Sequence, residues 1–129
     1  MDQRDMRSPL GQAIGLGSAK EGVEHWWHQR LTAVALVPLG LWFVISVLAH
    51  IGGSRDQLVL WLGSPIPAIL MIVMISVVFY HAALGVQIVI EDYVHREWLK
   101  LTLLVALRFG CLLAAVAGIF AVLRLSLES

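Results

Sequence analysis

The chain has 129 residues, of which 59% are hydrophobic and 14% are charged, and its nine basic and nine acidic residues cancel. Soluble domains average about 45–50% apolar and about 25% charged residues, and a chain this short cannot bury so much apolar surface in a core of its own. The balanced charge gives a nucleic-acid backbone little to bind. The composition therefore predicts an integral membrane protein and excludes a soluble domain and a nucleic-acid-binding protein.

Residues 1–30 are predicted to form a cytoplasmic N-terminal arm that ends in an interfacial segment. Glycines recur in the first 24 residues, at Gly11, Gly15, Gly17 and Gly22. Because glycine is less favourable than alanine inside a helix by about 1 kcal/mol, we expect an irregular or loosely helical arm. The cluster from His25 to Arg30 contains two tryptophans and an arginine, which favour the headgroup region of a bilayer, so it is predicted to lie at the membrane surface.

Residues 31–129 are predicted to form an all-α membrane domain with three transmembrane helices. The apolar segments run over about residues 31–51, 66–90 and 101–125, and about 20 apolar residues suffice to cross the hydrocarbon core. Pro38 predicts a kink or close helix packing in the first segment. Residues 52–64 are predicted to be a connection, after which Ser64 and Pro65 suit the N-cap and first position of the second helix.

The basic residues near helix ends predict the orientation of this domain, since they concentrate on the cytoplasmic side. One side carries Arg4, Arg7, Lys20, Arg30, Arg96 and Lys100, and the other carries Arg55 and Arg124. The N-terminus is therefore predicted to be cytoplasmic and the C-terminus periplasmic. Arg108 lies inside the third segment, where it either snorkels toward the interface or faces an acidic group, a cofactor propionate or lipid.

The stretch from Phe79 to His95 carries the candidate chemistry, because it starts inside the second apolar segment and ends among ionisable groups. His81 lies deep in the apolar segment, where a histidine is costly and therefore a functional candidate. Eleven helical residues turn through about 1,100°, so His81 and Asp92 share one helix face at about 16–17 Å along the axis. Gly85, one turn from His81, would let a flat ligand or a neighbouring helix approach closely.

His81 has two interpretations. It is either a structural histidine bonded to a carbonyl of another helix or an axial ligand to haem iron, for which neutral imidazole is a common donor. The other histidines lie nearer the membrane edges, at His25, His28, His50 and His95. If His81 binds haem, we therefore expect the second axial ligand to come from another chain.

Asp92 and Tyr93 follow at the predicted cytoplasmic end of the same helix. They could be an ordinary solvated helix end, although the acidic pair Glu91 and Asp92 opposes the helix dipole there unless it is paired or used. A tyrosine hydroxyl beside a carboxylate at the lipid boundary suits an amphipathic carbonyl ligand such as a quinone. The hydroxyl could donate a hydrogen bond to the carbonyl, while the acids help to deliver protons.

Taken together, these residues resemble the hydrophobic membrane anchor of succinate dehydrogenase, and more narrowly the smaller, D-type anchor of complex II. The resemblance is carried by the three apolar segments, by the His-Trp-Trp-x-Gln-Arg-x-Thr-Ala stretch from His25 to Ala33, and by His81, Gly85, Gln87 and Asp92-Tyr93-Val94. It extends from about Gly17 to the end of the third segment, and the spacing from His81 to Asp92-Tyr93 is its most specific part.

The resemblance implies that His81 is one axial ligand of a haem b shared with a C-type anchor chain. It further implies that Arg30 lies near the haem propionates and the quinone end. A histidine upstream of that arginine is used in some members of the family, and Glu24, His25 and His28 compete for this position here.

The resemblance also implies that Tyr93, with Asp92 beside it, contributes to a pocket for ubiquinone or menaquinone. The expected partners are a flavoprotein subunit that oxidises succinate, an iron–sulfur subunit that relays electrons, the C-type cytochrome b anchor and membrane lipid. The chain would be a multi-pass subunit in the bacterial inner membrane and would not itself carry the succinate-oxidising site.

Three alternatives stay open at this point. A fumarate reductase anchor would run electrons in the opposite direction, and a non-redox scaffold or assembly protein would use His81 only structurally. A small transporter would favour paired ionisable groups inside the membrane or broken helices, for which His81 and Arg108 are the candidates.

Overall fold

The computed structural model describes the backbone of residues 3–128 and the side chains of residues 22–128. Its elements are α1 (Gln3–His50), α2 (Arg55–Gly63), α3 (Pro65–Tyr93) and α4 (Glu97–Glu128). Three segments are long and apolar enough to cross a membrane, namely Gly22–His50, Pro65–Tyr93 and Glu97–Glu128. The described backbone forms helices and no strands, so the prediction of an all-α fold with three membrane-spanning helices is confirmed.

The N-terminal arm differs from the prediction, because α1 is one helix from Gln3 to His50. Glycine lowers helix propensity, but it keeps the backbone N–H that each helical turn requires. A helix that is already nucleated in an apolar segment gains one hydrogen bond for each further residue, which allows it to continue through the arm. The helix also continues through Pro38.

The connection between the first two spanning helices contains the short helix α2, which the sequence analysis did not predict. Gly52, two residues after the last residue of α1, adopts a positive φ of 86°. Ser54 then caps α2 through a reciprocal pair, in which Gln57 N donates to Ser54 Oγ at 3.2 Å and Ser54 N donates to Gln57 Oε1 at 3.1 Å. Ser64 does occupy the N-cap position of α3, but its hydroxyl donates to the carbonyl of Trp61 instead.

The three long helices pack with α3 in the middle. It contacts α1 on one flank and α4 on the other, while α2 packs against α4 and α3 at the end of the bundle where α1 ends and α3 begins. Close approach of α3 and α4 occurs at Gly118, where an added Cβ would lie 3.3 Å from two side-chain carbons of Ile75. Trp61 of α2 stacks at 6.0 Å on Trp42 of α1, between ring centroids.

Most of the apolar surface of the chain faces outward. Among residues 22–128, the buried hydrophobic side chains are Ala68, Leu84, Ile90 and Val122. Side chains such as Val34 and Leu113 are each 68% exposed. An apolar exterior of this kind requires lipid or partner helices to cover it.

Candidate functional site

His81 lies in the second half of α3, and the helix continues without a break to Tyr93. The imidazole is half-buried and faces α1, where its Nδ1 lies 2.8 Å from the hydroxyl oxygen of Thr32. Because the helix is continuous, Asp92 lies about 16–17 Å from His81 along the axis, as the spacing predicted. The neighbour of His81 on α1 was not predicted.

Thr32 is itself fixed by the backbone of α1. Its hydroxyl oxygen lies 2.8 Å from the carbonyl oxygen of His28 and 3.0 Å from that of Gln29. Such bonds to the preceding turn are common for threonine in helices, because one rotamer brings the hydroxyl onto these carbonyls. The hydroxyl therefore has a defined position opposite His81.

A second polar contact joins the same two helices at the residue before His81. The hydroxyl oxygen of Tyr80 lies 2.8 Å from Nδ1 of His28, and the two rings are 5.9 Å apart between centroids. His28 therefore takes part twice, with its ring toward Tyr80 and its carbonyl toward Thr32. Tyr80 and His81, which are neighbours on α3, are thus bonded to two side chains of α1 that lie about one helical turn apart.

The backbone of α3 approaches α1 closely at Gly85. A Cβ added there would lie 3.5 Å from Nε2 of Gln29, so the glycine packs against a polar side chain of α1. Two buried polar atoms on this part of α1, His25 Nε2 and Gln29 Oε1, have no hydrogen-bond partner among residues 22–128. Buried polar atoms are nearly always satisfied by protein, water or a bound group, so these two indicate a further donor or acceptor at this place.

A cavity of about 480 Å³ lies beside this contact. Residues of α1, α3 and α4 line it, and its polar or sulfur-bearing members are His25, Ser76, Tyr80, Gln87, Arg108 and Cys111. The remaining lining residues are apolar, including Phe79 and Leu84. A cavity with apolar walls and a few polar groups has the character of a site for a small amphipathic ligand.

Arg108 takes part in a chain of polar side chains that the sequence analysis did not predict. Its guanidinium donates to Gln87 Oε1 at 3.1 Å, and Gln87 Nε2 donates to Glu91 Oε2 at 3.4 Å. Of the predicted alternatives for Arg108, a direct acidic partner is absent from the side chains that the structure describes, and the contact is to a neutral amide. The signal in the sequence was the spacing of Gln87 and Glu91, four residues apart on one helix face.

Three predicted site residues, Arg30, Asp92 and Tyr93, have no described contact with His81. Tyr93 is 76% exposed at the last position of α3, and Asp92 is exposed beside it. The guanidinium of Arg30 is exposed and lies 5.1 Å from the ring centroid of Trp26. The structure therefore brings His81 together with Thr32 and, through Thr32, with His28, while Arg30, Asp92 and Tyr93 lie outside this network.

The described part of the chain offers no group of three or more His, Cys, Asp or Glu side chains that could hold a metal ion.

The chain was compared with known proteins. Residues 4–120 match the family model described as succinate dehydrogenase/fumarate reductase transmembrane subunit. A succinate dehydrogenase hydrophobic membrane anchor subunit of Rickettsia bellii is 40% identical over 92% of this chain and 94% of its own length. Its counterpart in Paracoccus denitrificans is 36% identical over 93% and 92%, and no solved structure gives a significant match. The chain therefore belongs to the family of succinate dehydrogenase and fumarate reductase transmembrane subunits.

Proposed function

We propose that the chain is the D-type hydrophobic membrane anchor subunit of a succinate:quinone oxidoreductase in the bacterial inner membrane. Relatives described as succinate dehydrogenase hydrophobic membrane anchor subunits match nearly the whole chain. The three spanning helices and their largely exposed apolar surface suit a subunit that packs against a second anchor chain and lipid. A flavoprotein and an iron–sulfur subunit would supply the electrons, and this chain would help to deliver them to quinone.

Haem b fits the residues around His81. Nδ1 of the ring is bonded to Thr32, and Nε2 has no hydrogen-bond partner among residues 22–128, so one nitrogen is held while the other can bind iron. This is the observation that carries the haem part of the proposal. When bound, haem supplies one-electron storage through its iron, and the C-type partner would provide the second axial ligand.

The groups that would hold the haem propionates are His25, His28 and Arg30. His25 Nε2 is buried without a partner among the described side chains, so a carboxylate oxygen would satisfy it as a hydrogen-bond acceptor. Arg30 keeps its guanidinium exposed and could bind a carboxylate in bidentate fashion. The ring of His28 is already bonded to Tyr80, which makes it the least available of the three.

Tyr93 and Asp92 would contribute to the quinone pocket. Both are exposed at the end of α3, where a partner subunit can cover them and complete the walls. The hydroxyl of Tyr93 would donate a hydrogen bond to a quinone carbonyl, and the carboxylate of Asp92 would help to bring protons to that end of the membrane.

A reduced-minus-oxidised optical spectrum of the complex, purified gently from its native membrane, tests this function. We expect a b-type haem signal together with flavin and iron–sulfur absorption. In the His81→Leu variant the haem signal should be lost or shifted. The His50→Leu variant should leave it unchanged, because His50 is the last residue of α1, about 27 Å along that helix from the Thr32 that contacts His81.

Other outcomes of this measurement separate the alternatives. Flavin and iron–sulfur absorption without haem would support the role as an anchor subunit and contradict the role of His81 as a haem ligand. A preparation without any chromophore or soluble subunit would instead favour a non-redox scaffold. The direction of electron flow, on which succinate dehydrogenase and fumarate reductase differ, follows from the relative rates of succinate oxidation and fumarate reduction by the purified complex.

A further inference from the structure

Three polar atoms surround the hydroxyl of Thr32, two carbonyl oxygens and one ring nitrogen, and their distances decide where the single hydroxyl proton lies. The carbonyl oxygens of His28 and Gln29 are 2.8 and 3.0 Å away, and His81 Nδ1 is 2.8 Å away. A threonine hydroxyl has one proton to donate and two lone pairs with which to accept. At most one of the three neighbours can therefore receive a full hydrogen bond from it, unless the proton is shared between the two carbonyls.

Donation toward His81 is the unfavourable arrangement. If the hydroxyl proton pointed at Nδ1, two carbonyl oxygens would face the hydroxyl oxygen at 3.0 Å or less without a proton between them. Such contacts between lone pairs are repulsive, and the cost is high at a site of low dielectric. If the proton instead points toward the carbonyls, a lone pair of the hydroxyl faces His81, and all three contacts are favourable when Nδ1 carries a hydrogen.

We propose that Thr32 is a positioning residue that holds His81 as the Nδ1–H tautomer and fixes the plane of its ring. The bond from Nδ1–H to Thr32 leaves the lone pair on Nε2, which is the nitrogen available to a metal. This inference deepens the proposed haem function and rests on it for its consequence, although the tautomer itself follows from contacts within this chain. A hydrogen-bond acceptor opposite the non-ligating nitrogen also raises the basicity of a ligating imidazole.

The proposed hydrogen bond predicts the direction in which the haem midpoint potential shifts when Thr32 is replaced. A more basic imidazole stabilises the ferric state and lowers the midpoint potential, so removal of the acceptor should raise the potential. Thr32→Val replaces the hydroxyl by a methyl group of similar shape, and Thr32→Ala removes the same hydroxyl without adding bulk. Thr32→Ser keeps the acceptor and should keep the wild-type potential.

Thr102 offers a matched control on α4. Its hydroxyl donates to the carbonyl of Trp98 at 2.8 Å, four residues earlier, as Thr32 does to His28. The structure describes no histidine contact for Thr102. Thr102→Val therefore removes the same kind of bond within a helix and should leave the haem potential and spectrum unchanged.

The experiment is a redox titration of the haem in the whole purified complex, with electron paramagnetic resonance of the ferric haem to report the orientation of the axial rings. We expect an upward shift of the midpoint potential and a changed resonance in Thr32→Val and Thr32→Ala, with wild-type values in Thr32→Ser and Thr102→Val. Unchanged potential and resonance in both hydroxyl-free variants would overturn the inference. An equal shift in Thr32→Ser would also do so, because serine retains the acceptor.

The failure of the haem proposal is a separate result. If the wild-type complex contains no haem, nitrogen NMR of histidine-labelled complex, with the signal of His81 identified by its loss in His81→Leu, still reports which ring nitrogen is protonated. A protonated Nδ1 that becomes a mixture of tautomers in Thr32→Val supports the inference on Thr32. A protonated Nε2 in the wild type contradicts it.

Discussion

The two tyrosines of the chain lie on the same helix in opposite surroundings. Tyr80 is bonded to His28 of α1 and so helps to fasten two helices together. Tyr93 is 76% exposed at the helix end, and its hydroxyl has no partner among residues 22–128. A donor that is left free at the membrane boundary is available to a ligand, whereas one that is engaged between helices is structural.

Tyr93→Phe should therefore impair quinone reduction and spare succinate oxidation by a soluble artificial acceptor. The lost hydrogen bond is worth about 1–3 kcal/mol when its partner is left unsatisfied, which corresponds to a fall in kcat/KM for quinone of about 5-fold to 150-fold. Steady-state kinetics with the two acceptors measure this separation.

Tyr80→Phe is the matched control for this prediction, because it removes the same hydroxyl from the same helix. It should lower the thermal stability of the complex slightly, since a side-chain hydrogen bond between membrane helices is worth about 0.6 kcal/mol on average. Tyr80 lines the cavity near His81 and lies about 20 Å along α3 from Tyr93, away from the proposed quinone pocket, so the rate with quinone should remain close to that of the wild type. A loss of quinone reduction in Tyr80→Phe that equals the loss in Tyr93→Phe would show that the effect is not local to the helix end.

The helices could be predicted from the sequence, whereas the rotation of one helix relative to another could not. The apolar segments gave the three spanning helices, and the helical repeat gave the common face of His81 and Asp92. Thr32 was visible as part of a motif, but nothing in a single segment tells which residue of α1 faces His81. Such pairs depend on the register and rotation of two helices, which arise from packing of the whole bundle.

The helix α2 was missed for a different reason. Its capping box was present in the sequence, since Ser54 is followed by Gln57 three residues later, but the segment is short and lies between two strong apolar signals. The extension of α1 through the arm could not be predicted from the helix propensity of single glycines. Helix propagation is cooperative, and the hydrogen bonds added along the growing helix outweigh the free-energy cost of the glycines.

Gly118 tests the packing of α3 against α4. An added Cβ would lie 3.3 Å from Ile75, so Gly118→Leu should push the two helices apart and lower the thermal midpoint of the purified complex. Overpacking of this kind typically costs about 1–3 kcal/mol. The control is Gly110→Leu on the same helix, because a Cβ at Gly110 meets nothing within 4 Å in this chain. Equal destabilisation by the two substitutions would contradict the packing described for Gly118.

The helix bundle is unevenly held together. α4 packs extensively against α3 and also contacts α2, whereas the described contacts of α1 are mainly with α3. Among residues 22–128, the hydrogen bonds between α1 and α3 are those of the pairs Thr32–His81 and His28–Tyr80. Beyond these bonds and the packing of Trp61 on Trp42, the exposed apolar face of α1 needs lipid or partner helices to cover it.

In the isolated chain, α4 should therefore keep a fixed position against α3, whereas α1 should move relative to α3. Spin labels on exposed positions of a chain in which Cys111 is replaced by serine can measure this, with one pair at Val44 and Val73 and a second pair at Val73 and Phe120. In detergent, the distance distribution between α1 and α3 should be broad, and that between α3 and α4 should be narrow. Assembly with the partner subunits should narrow the first distribution and leave the second nearly unchanged, because partner helices supply α1 with the contacts that it lacks in this chain. Equal widths for the two pairs in the isolated chain would instead mean that the contacts of α1 within this chain are sufficient to hold it.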